Sequence, residues 1–307
     1  MLVAYAARRL LDLLPTLLLV SFVVFVSVRL IPGDPVLAIA GPEATPEIMA
    51  EIRESLGLNE PLFTQYLDYL QRIVRGDLGT SIRTKQPVWD EIGRRLPATL
   101  ELAAAGMVVS LVLGIGLGVM AALRPGGPLD AFARLVSLFG VSSPTFWTGL
   151  LFVLAFGYYW RIFPIAGRGG LDNLVLPAVT VALTSVAFIS RLTRASLLEV
   201  LSQDYVRTAR AKGAKPYTTI VKHALRNALM SPITVAGLEF GRLLSGVIVI
   251  EIIFAWPGTG RLLINAIQFR DFPIIQGLVL TYAALYASIN VGVDVLYAVL
   301  DPRIVLD

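Results

Sequence analysis

Side chains able to do chemistry are sparse in this 307-residue chain, and they stand far apart. There is no cysteine and a single histidine, His223. That removes disulfides, thiolate nucleophiles, Cys-based metal sites, most His-rich metal centres and nearly all Ser-His catalysis. No G-x-x-x-x-G-K-S/T phosphate loop occurs. Lys212-Gly213 stands in the reverse order, and Trp256-Pro257-Gly258-Thr259-Gly260-Arg261 lacks the lysine and a preceding strand. The chain is therefore expected to bind no nucleotide and no metal of its own and not to be an enzyme. An intramembrane hydrolase would need a nucleophile with a base, or paired aspartates, inside apolar segments. Asp12 and Asp294 instead lie toward segment ends, as structural or snorkelling carboxylates do. Glu239 and Arg242 stand inside an apolar run at a spacing of three, which puts both on one face of a helix.

The elements that must position these residues lie in a membrane. A soluble chain is about 45–50% apolar and about 25% charged. This one is 56% hydrophobic and 16% charged, with a mean hydropathy of +0.73, so much of its surface must face lipid. Six runs are long enough for the roughly 20 residues a spanning helix needs: Leu10–Ile31, Leu100–Leu123, Leu135–Trp160, Leu174–Ser190, Leu229–Phe254 and Ile274–Leu296. The first is longer than the apolar core of a signal peptide and has no A-x-A cleavage pattern, so it is expected to stay as a span. Arg8, Arg9, Arg124, Arg134, Arg303 and the basic residues of 191–226 fall on one side of such a bundle. The short loops of the other side carry only Arg161, Arg168, Arg261 and Arg270. This bias predicts both termini in the cytoplasm and accounts for the net charge of +4 without nucleic acid.

The expected organisation is a first span within 1–31, an outer helical region at 32–97 and a core of five spans at 98–307. In the outer region, Thr45 is placed to cap a helix whose first residue is Pro46. Ile48, Ile52 and Leu56 recur on one face before Gly57. A second amphipathic helix is expected over 61–75, with Leu62, Tyr66, Leu70 and Val74 on its apolar side and Gly76 after it. Val88–Leu96 reads as a third. These helices are expected to lie over the membrane mouth, either capping the bundle or gating substrate.

Within the loop 191–228, Asp204 is placed to cap a short helix, Tyr205–Lys212, which Gly213 stops. Val206, Ala209 and Ala211 are compact, so another protein surface could approach the backbone closely. Pro216 then starts a helix that feeds the fifth span. Taken alone, the basic charge of this loop says only that it lies inside.

The order of its parts says more. Asp204-Tyr205-Val206-Arg207-Thr208-Ala209-Arg210-Ala211-Lys212-Gly213, then His223-Ala224-Leu225-Arg226-Asn227-Ala228 and Pro232, resembles the signature loop of permease subunits of bacterial ABC importers. The likeness is closest to the dipeptide/oligopeptide permease family. It extends to Arg8-Arg9-Leu10 with Pro15, Ile31-Pro32-Gly33-Asp34-Pro35, Leu56-Gly57-Leu58 with Pro61 and Gln65, and Gly76-Asp77-Leu78-Gly79 with Ser81. Glu251 with Trp256-Pro257-Gly258, and Asn290, Val293-Asp294, Tyr297 and Pro302, complete it. The resemblance implies an all-α integral membrane protein with the six-helix type I importer permease fold, in a bacterial inner membrane. It further implies a homologous second permease, two ATPase subunits that bind ATP and Mg, and an external substrate-binding protein. In that family the helix ending at Gly213 is the coupling helix, which docks in a groove of the ATPase. Members carry dipeptides, longer peptides, glutathione or nickel complexes. A passive channel or secondary transporter is the reading from another class, and it would leave the loop unexplained.

In the fifth span, Gly237, Gly241 and Ser245 form a small-xxx-small stripe roughly opposite Glu239 and Arg242. The stripe is expected to pack against a helix. The charged face is expected to be either a self-neutralising pair that supports assembly or a polar patch on a translocation path.

Overall fold

Backbone groups in hydrocarbon must be satisfied within the chain, and this chain meets the requirement with helices. A computed structural model describes residues 2–30, 36, 45–55 and 57–300. The Ile31–Pro35 motif, Leu56, Pro302 and Arg303 lie outside the described residues. The helices are α1 (Leu2–Leu30), α2 (Pro46–Ser55), α3 (Leu62–Val74), α4 (Val88–Leu123), α5 (Pro128–Ser142), α6 (Thr145–Phe152), α7 (Leu171–Leu201), α8 (Asp204–Ala211), α9 (Met230–Ile253), α10 (Thr259–Gln268) and α11 (Phe272–Leu300). Among the described residues the sole β feature is an isolated bridge between Thr80 and Pro87.

Five helices are long and apolar enough to cross a membrane, and six spans result if the bent pair α5 and α6 counts as one. That pair lies where one third span, Leu135–Trp160, was expected. The chain turns by 112° between Ser142 and Thr145. Ser143 is extended (φ −88°, ψ 129°) and Pro144 precedes the first residue of α6. Proline disfavours the α region for the residue before it and has no N–H to donate back. Helix α6 then continues as a π-helical turn, Val153–Tyr159.

Two other boundaries differ from expectation. Val88–Leu96 and the second span are one 36-residue helix, α4, with Pro97 inside it. Val88 and Ile92 are buried with Ala266, Ile274 and Leu278, and this packing holds the part of the helix before the proline. Helix α7 runs past Ser190 to Leu201, where Leu197 packs with Ala122, Ala224 and Ala228.

By internal packing the chain forms two units. One comprises 98–257 with the chain from 289, and the other 3–97 with 258–288. In the first, α7 packs against α5, α6 and α9 and closely approaches α4. A Cβ at Gly106 would lie 2.5 Å from Val181 Cγ1, and one at Gly114 would lie 2.8 Å from Ile189. Ser110, between them on the same face, donates to Gly106 O at 2.7 Å. The loop after α9 is tied down by Trp256, whose indole N–H donates to Ala98 O at 2.8 Å, and by Thr99, which donates to the buried Glu251 carboxylate at 2.6 Å.

In the second unit, α2 starts as expected. Ile48 N–H reaches Thr45 Oγ1 at 3.4 Å, and Gly57 has φ +63°. Helix α3 presents the expected face in its middle, where Leu70 is half-buried and Tyr66 packs against Phe22 and Phe25, but not at its ends. Leu62 and Val74 are 65% and 86% exposed, while Gln65 turns inward. Its Oε1 accepts from Arg29 Nη2 at 2.8 Å, and its Nε2 donates to Glu60 O at 2.7 Å. Arg29 also stacks on Phe25, 3.4 Å from the ring centre. A guanidinium in this place needs an acceptor, and Gln65, beside Tyr66 on the inward side, supplies it. Burial pushes the nearby Tyr69 hydroxyl well above the ordinary tyrosine range.

Asp271 organises the loop that precedes α4. It is buried and accepts from Ser81 Oγ (2.5 Å), Ile82 N–H (3.1 Å) and Arg83 N–H (3.3 Å). Replacing it with alanine strands three donors. Asp271→Ala should destabilise the purified protein by about 2–4 kcal/mol in thermal unfolding, since each stranded buried group costs about 1–3 kcal/mol. Asp271→Asn, which keeps one acceptor oxygen, should lose clearly less. Unfolding curves that superimpose on wild type would show that the loop does not depend on this carboxylate.

Candidate functional site

Two places gather the residues singled out from the sequence: the loop between α7 and α9, and the charged face of α9. Helix α8 begins one residue earlier than expected. Gln203 is its N-cap, without a side-chain cap, and Asp204 is its first residue. The expected Asp204 cap is therefore not made. Its carboxylate is fully exposed and lies 3.8 Å from Arg207. A negative charge in the first turn still suits the helix dipole. The far end closes as the sequence predicts. Gly213 N–H bonds to Arg210 O at 3.0 Å and Ala214 N–H to Ala209 O at 3.2 Å, with Gly213 at φ +82°. This is the paired closure that needs a left-handed residue after the C-cap Lys212.

Val206 is fully buried and pins α8 to its own chain, so it is not available to an approaching surface. Ala209 is half-buried, whereas Tyr205, Arg207, Thr208, Arg210, Ala211, Lys212 and Gly213 are exposed. Tyr205 Oη accepts from Asn227 Nδ2 at 2.9 Å, tying α8 to the segment 216–228 that leads into α9. That segment contains a π-helical stretch, Thr219–Leu225. His223 is half-buried on it. A short helix thus stands on one apolar anchor and one polar tie, and most of its surface is open.

On α9, Glu239 is 6% exposed. Its carboxylate accepts from Arg242 Nη1 at 2.8 Å and from Ser185 Oγ of α7 at 3.1 Å. The Arg242 side chain is 61% exposed. Of the expected stripe, Gly237 is in close approach, since a Cβ there would lie 2.5 Å from Val293 of α11. Gly241 is buried, but Ser245 is exposed and belongs to no contact face.

Sequence reasoning missed a third feature. Asp130, at the start of α5, is fully buried. It pairs in fork geometry with Arg194 of α7, Nε to Oδ1 at 2.8 Å and Nη2 to Oδ2 at 3.0 Å, and accepts Gly126 N–H at 2.9 Å. Asp130 stands in the first turn after Gly127-Pro128, a sign of a helix start, but nothing in the sequence names its partner 64 residues on.

The charged pair yields a prediction. Arg242→Ala leaves Glu239 buried with Ser185 alone. Breaking a buried pair costs about 3–5 kcal/mol, and the exposure of Arg242 puts this case at or below the lower bound. Glu239→Gln keeps a polar group against Ser185. Membrane abundance and thermal stability should therefore fall more for Arg242→Ala than for Glu239→Gln. Equal losses would show that the two charges do not depend on each other.

Comparison with known proteins agrees with this architecture. The family described as the binding-protein-dependent transport system inner membrane component matches residues 114–306, and its N-terminal counterpart matches residues 2–103. The Escherichia coli glutathione transport system permease protein GsiC is 41% identical over 300 residues, covering 98% of both chains. The Escherichia coli dipeptide transport system permease protein DppB is 39% identical over 332 residues, again covering 98% of each. Among solved structures, an inward-facing MetNI methionine ABC transporter superposes with a TM-score of 0.56 at 18% identity, covering 68% of this chain and 96% of that one. An amino acid ABC transporter superposes with a TM-score of 0.53 at 15% identity, covering 68% and 93%. These two likenesses show the fold alone. An all-helical chain with five or six apolar spans, matched along almost its whole length, belongs to the inner-membrane permease family of binding-protein-dependent ABC importers.

Proposed function

We propose that this permease carries small peptides, dipeptides and the tripeptide glutathione among them, and that α8 couples it to a separate ATPase. The substrate class rests on the two relatives near 40% identity, one a glutathione permease and one a dipeptide permease. The coupling role rests on one observation: α8 is a short helix anchored through Val206, closed at Gly213 and otherwise largely open. It follows α7 directly, so a push on it is delivered to the helix that packs on α5, α6 and α9. In this reading a homologous permease completes the path, and an external binding protein delivers substrate. Two ATPase subunits hold ATP and Mg, and this chain binds no cofactor. Mass spectrometry of the ligand carried by the cognate binding protein tests the substrate class. A ligand that is not a peptide overturns it.

The coupling role predicts two separable defects. A Cβ at Gly213 meets nothing within 4 Å, so Gly213→Val acts through backbone strain, about 1–2 kcal/mol for a left-handed L-residue, and re-aims the segment that follows. Ala209→Glu adds bulk and charge to the exposed helix. Both variants should insert at normal levels and lose most uptake. ATP hydrolysis should become insensitive to loaded binding protein, or the ATPase should dissociate on purification. Wild-type uptake in both variants would exclude α8 as the coupling element.

Orientation follows from the distribution of arginine, with both termini and α8 in the cytoplasm. The chain has no cysteine, so single cysteines report cleanly. Ser81 is buried and unsuited to labelling, whereas Gln71 and Ser202 are exposed. An impermeant thiol reagent added outside should label Gln71→Cys and spare Ser202→Cys. The opposite pattern inverts the topology.

A further inference from the structure

The middle of α9 holds more positive charge than its own chain compensates. Arg242 is the thirteenth residue of a 24-residue helix, so about 16–18 Å of helix separates it from either end. A guanidinium that faces hydrocarbon costs at least about 2.5–3.5 kcal/mol. Yet its side chain is 61% exposed. The exposed face must therefore meet something polar.

Its neighbours say what. Arg242 lies 5.5 Å from the ring centre of Phe188, and Arg191, one turn further along α7, lies 5.0 Å from the same ring. Two guanidiniums thus lie within cation–π range, about 6 Å, of one aromatic ring. Glu239 is the one carboxylate bonded to either of them among the described residues, and it takes a single N–H from Arg242. It is also held by Ser185, so it is fixed as a support beneath Arg242. Arg191 is exposed and joins no ion pair among the described residues. The balance is two positive charges against one negative, with most of the ten guanidinium donors unassigned. Two planar forks beside an apolar ring suit a carboxylate next to an apolar side chain.

We infer that Arg191 and Arg242, positioned by Phe188 and by the Glu239–Ser185 support, form the point on the translocation path that binds the carboxylate of the passing peptide. Glu239 is a positioning residue that aims Arg242 and halves the local charge, so that the carboxylate is held weakly enough to leave. The inference rests on the peptide reading and names the peptide group, a carboxylate, that this chain recognises.

The test uses the complete transporter in proteoliposomes with saturating loaded binding protein, and dialanine and glutathione as the probes. Arg191→Gln should lower the rate of uptake about tenfold or more, as expected for loss of a charge-assisted bond, and Arg191→Lys should restore part of it. Arg191 stands outside the buried pair, so this variant keeps its fold even if Arg242→Gln does not. Glu239→Gln removes the opposing charge and should hold substrate longer, with a lower KM and a lower maximal rate. Arg124→Gln, an exposed arginine elsewhere, serves as the neutral control. Uptake by Arg191→Gln at the wild-type rate overturns the inference. So does loss of the partner permease from the purified variant, which would assign Arg191 to subunit pairing. If the wild-type transporter takes up neither probe, the peptide reading itself fails and the inference falls with it.

Discussion

The close approach of α4 to α7 is the contact on which the permease core depends. In lipid there is no hydrophobic drive to bring two helices together, because the tails are as apolar as leucine. What remains is van der Waals contact and interhelical bonding, and both grow steeply as backbones approach. Gly106, Ser110, Gly114 and Gly118 recur every four residues along one face of α4. At Gly106, Gly114 and Gly118 a single added carbon would lie within 2.5–2.8 Å of atoms of α7. Ser110 fills its place on the stripe, its hydroxyl donating to Gly106 O of its own helix at 2.7 Å with Ala182 O of α7 at 3.4 Å. With α7 seated there, its other faces receive α5, α6 and α9, and its extension beyond Ser190 carries the loop with α8.

Polar groups complete what the small residues begin, and each does so by pairing. Asp130 receives the fork of Arg194, Glu251 receives Thr99, and Glu239 receives Arg242 and Ser185. A buried charge that lost its partner would cost several kcal/mol, so these bonds admit few alternative arrangements of the helices. The Asp130–Arg194 fork joins the start of α5 to α7 a short way before α8. In the coupling role proposed for α8, a push on it would enter a helix already locked to its neighbours. The Arg242 side has the opposite character. Its cation is only partly compensated and its side chain is largely exposed.

The bend between α5 and α6 and the packed face of α3 share a lesson about competing local rules. Hydropathy reads 135–160 as one run, because composition is blind to the backbone break that Ser143-Pro144 introduces. Apolar periodicity puts Leu62 and Val74 on the inner face of α3, because it counts apolar residues and not acceptors. The face that packs carries Gln65 beside Tyr66 and Leu70, and Gln65 gives Arg29 its acceptor.

By itself the sequence determined the class of the molecule. The apolar runs, the arginine bias, the Thr45-Pro46 start, the Gly213 stop and the pairing of Glu239 with Arg242 are all local, set within one or two helical turns by backbone sterics and hydration. The family likeness was legible for the same reason, since its motifs are short and contiguous. Only the tertiary structure decided which partners lie across the bundle. Arg194 for Asp130, Asp271 for Ser81, Gln65 for Arg29 and Ser185 for Glu239 are separated by 36 to 190 residues. It likewise decided that Val206 is an anchor and not a docking surface, and that Arg191 shares a ring with Arg242. Hydrogen-bond and packing partners are chosen by which helix faces meet. In lipid that choice rests on shape and unsatisfied polar groups, neither of which a one-dimensional pattern of apolar residues encodes.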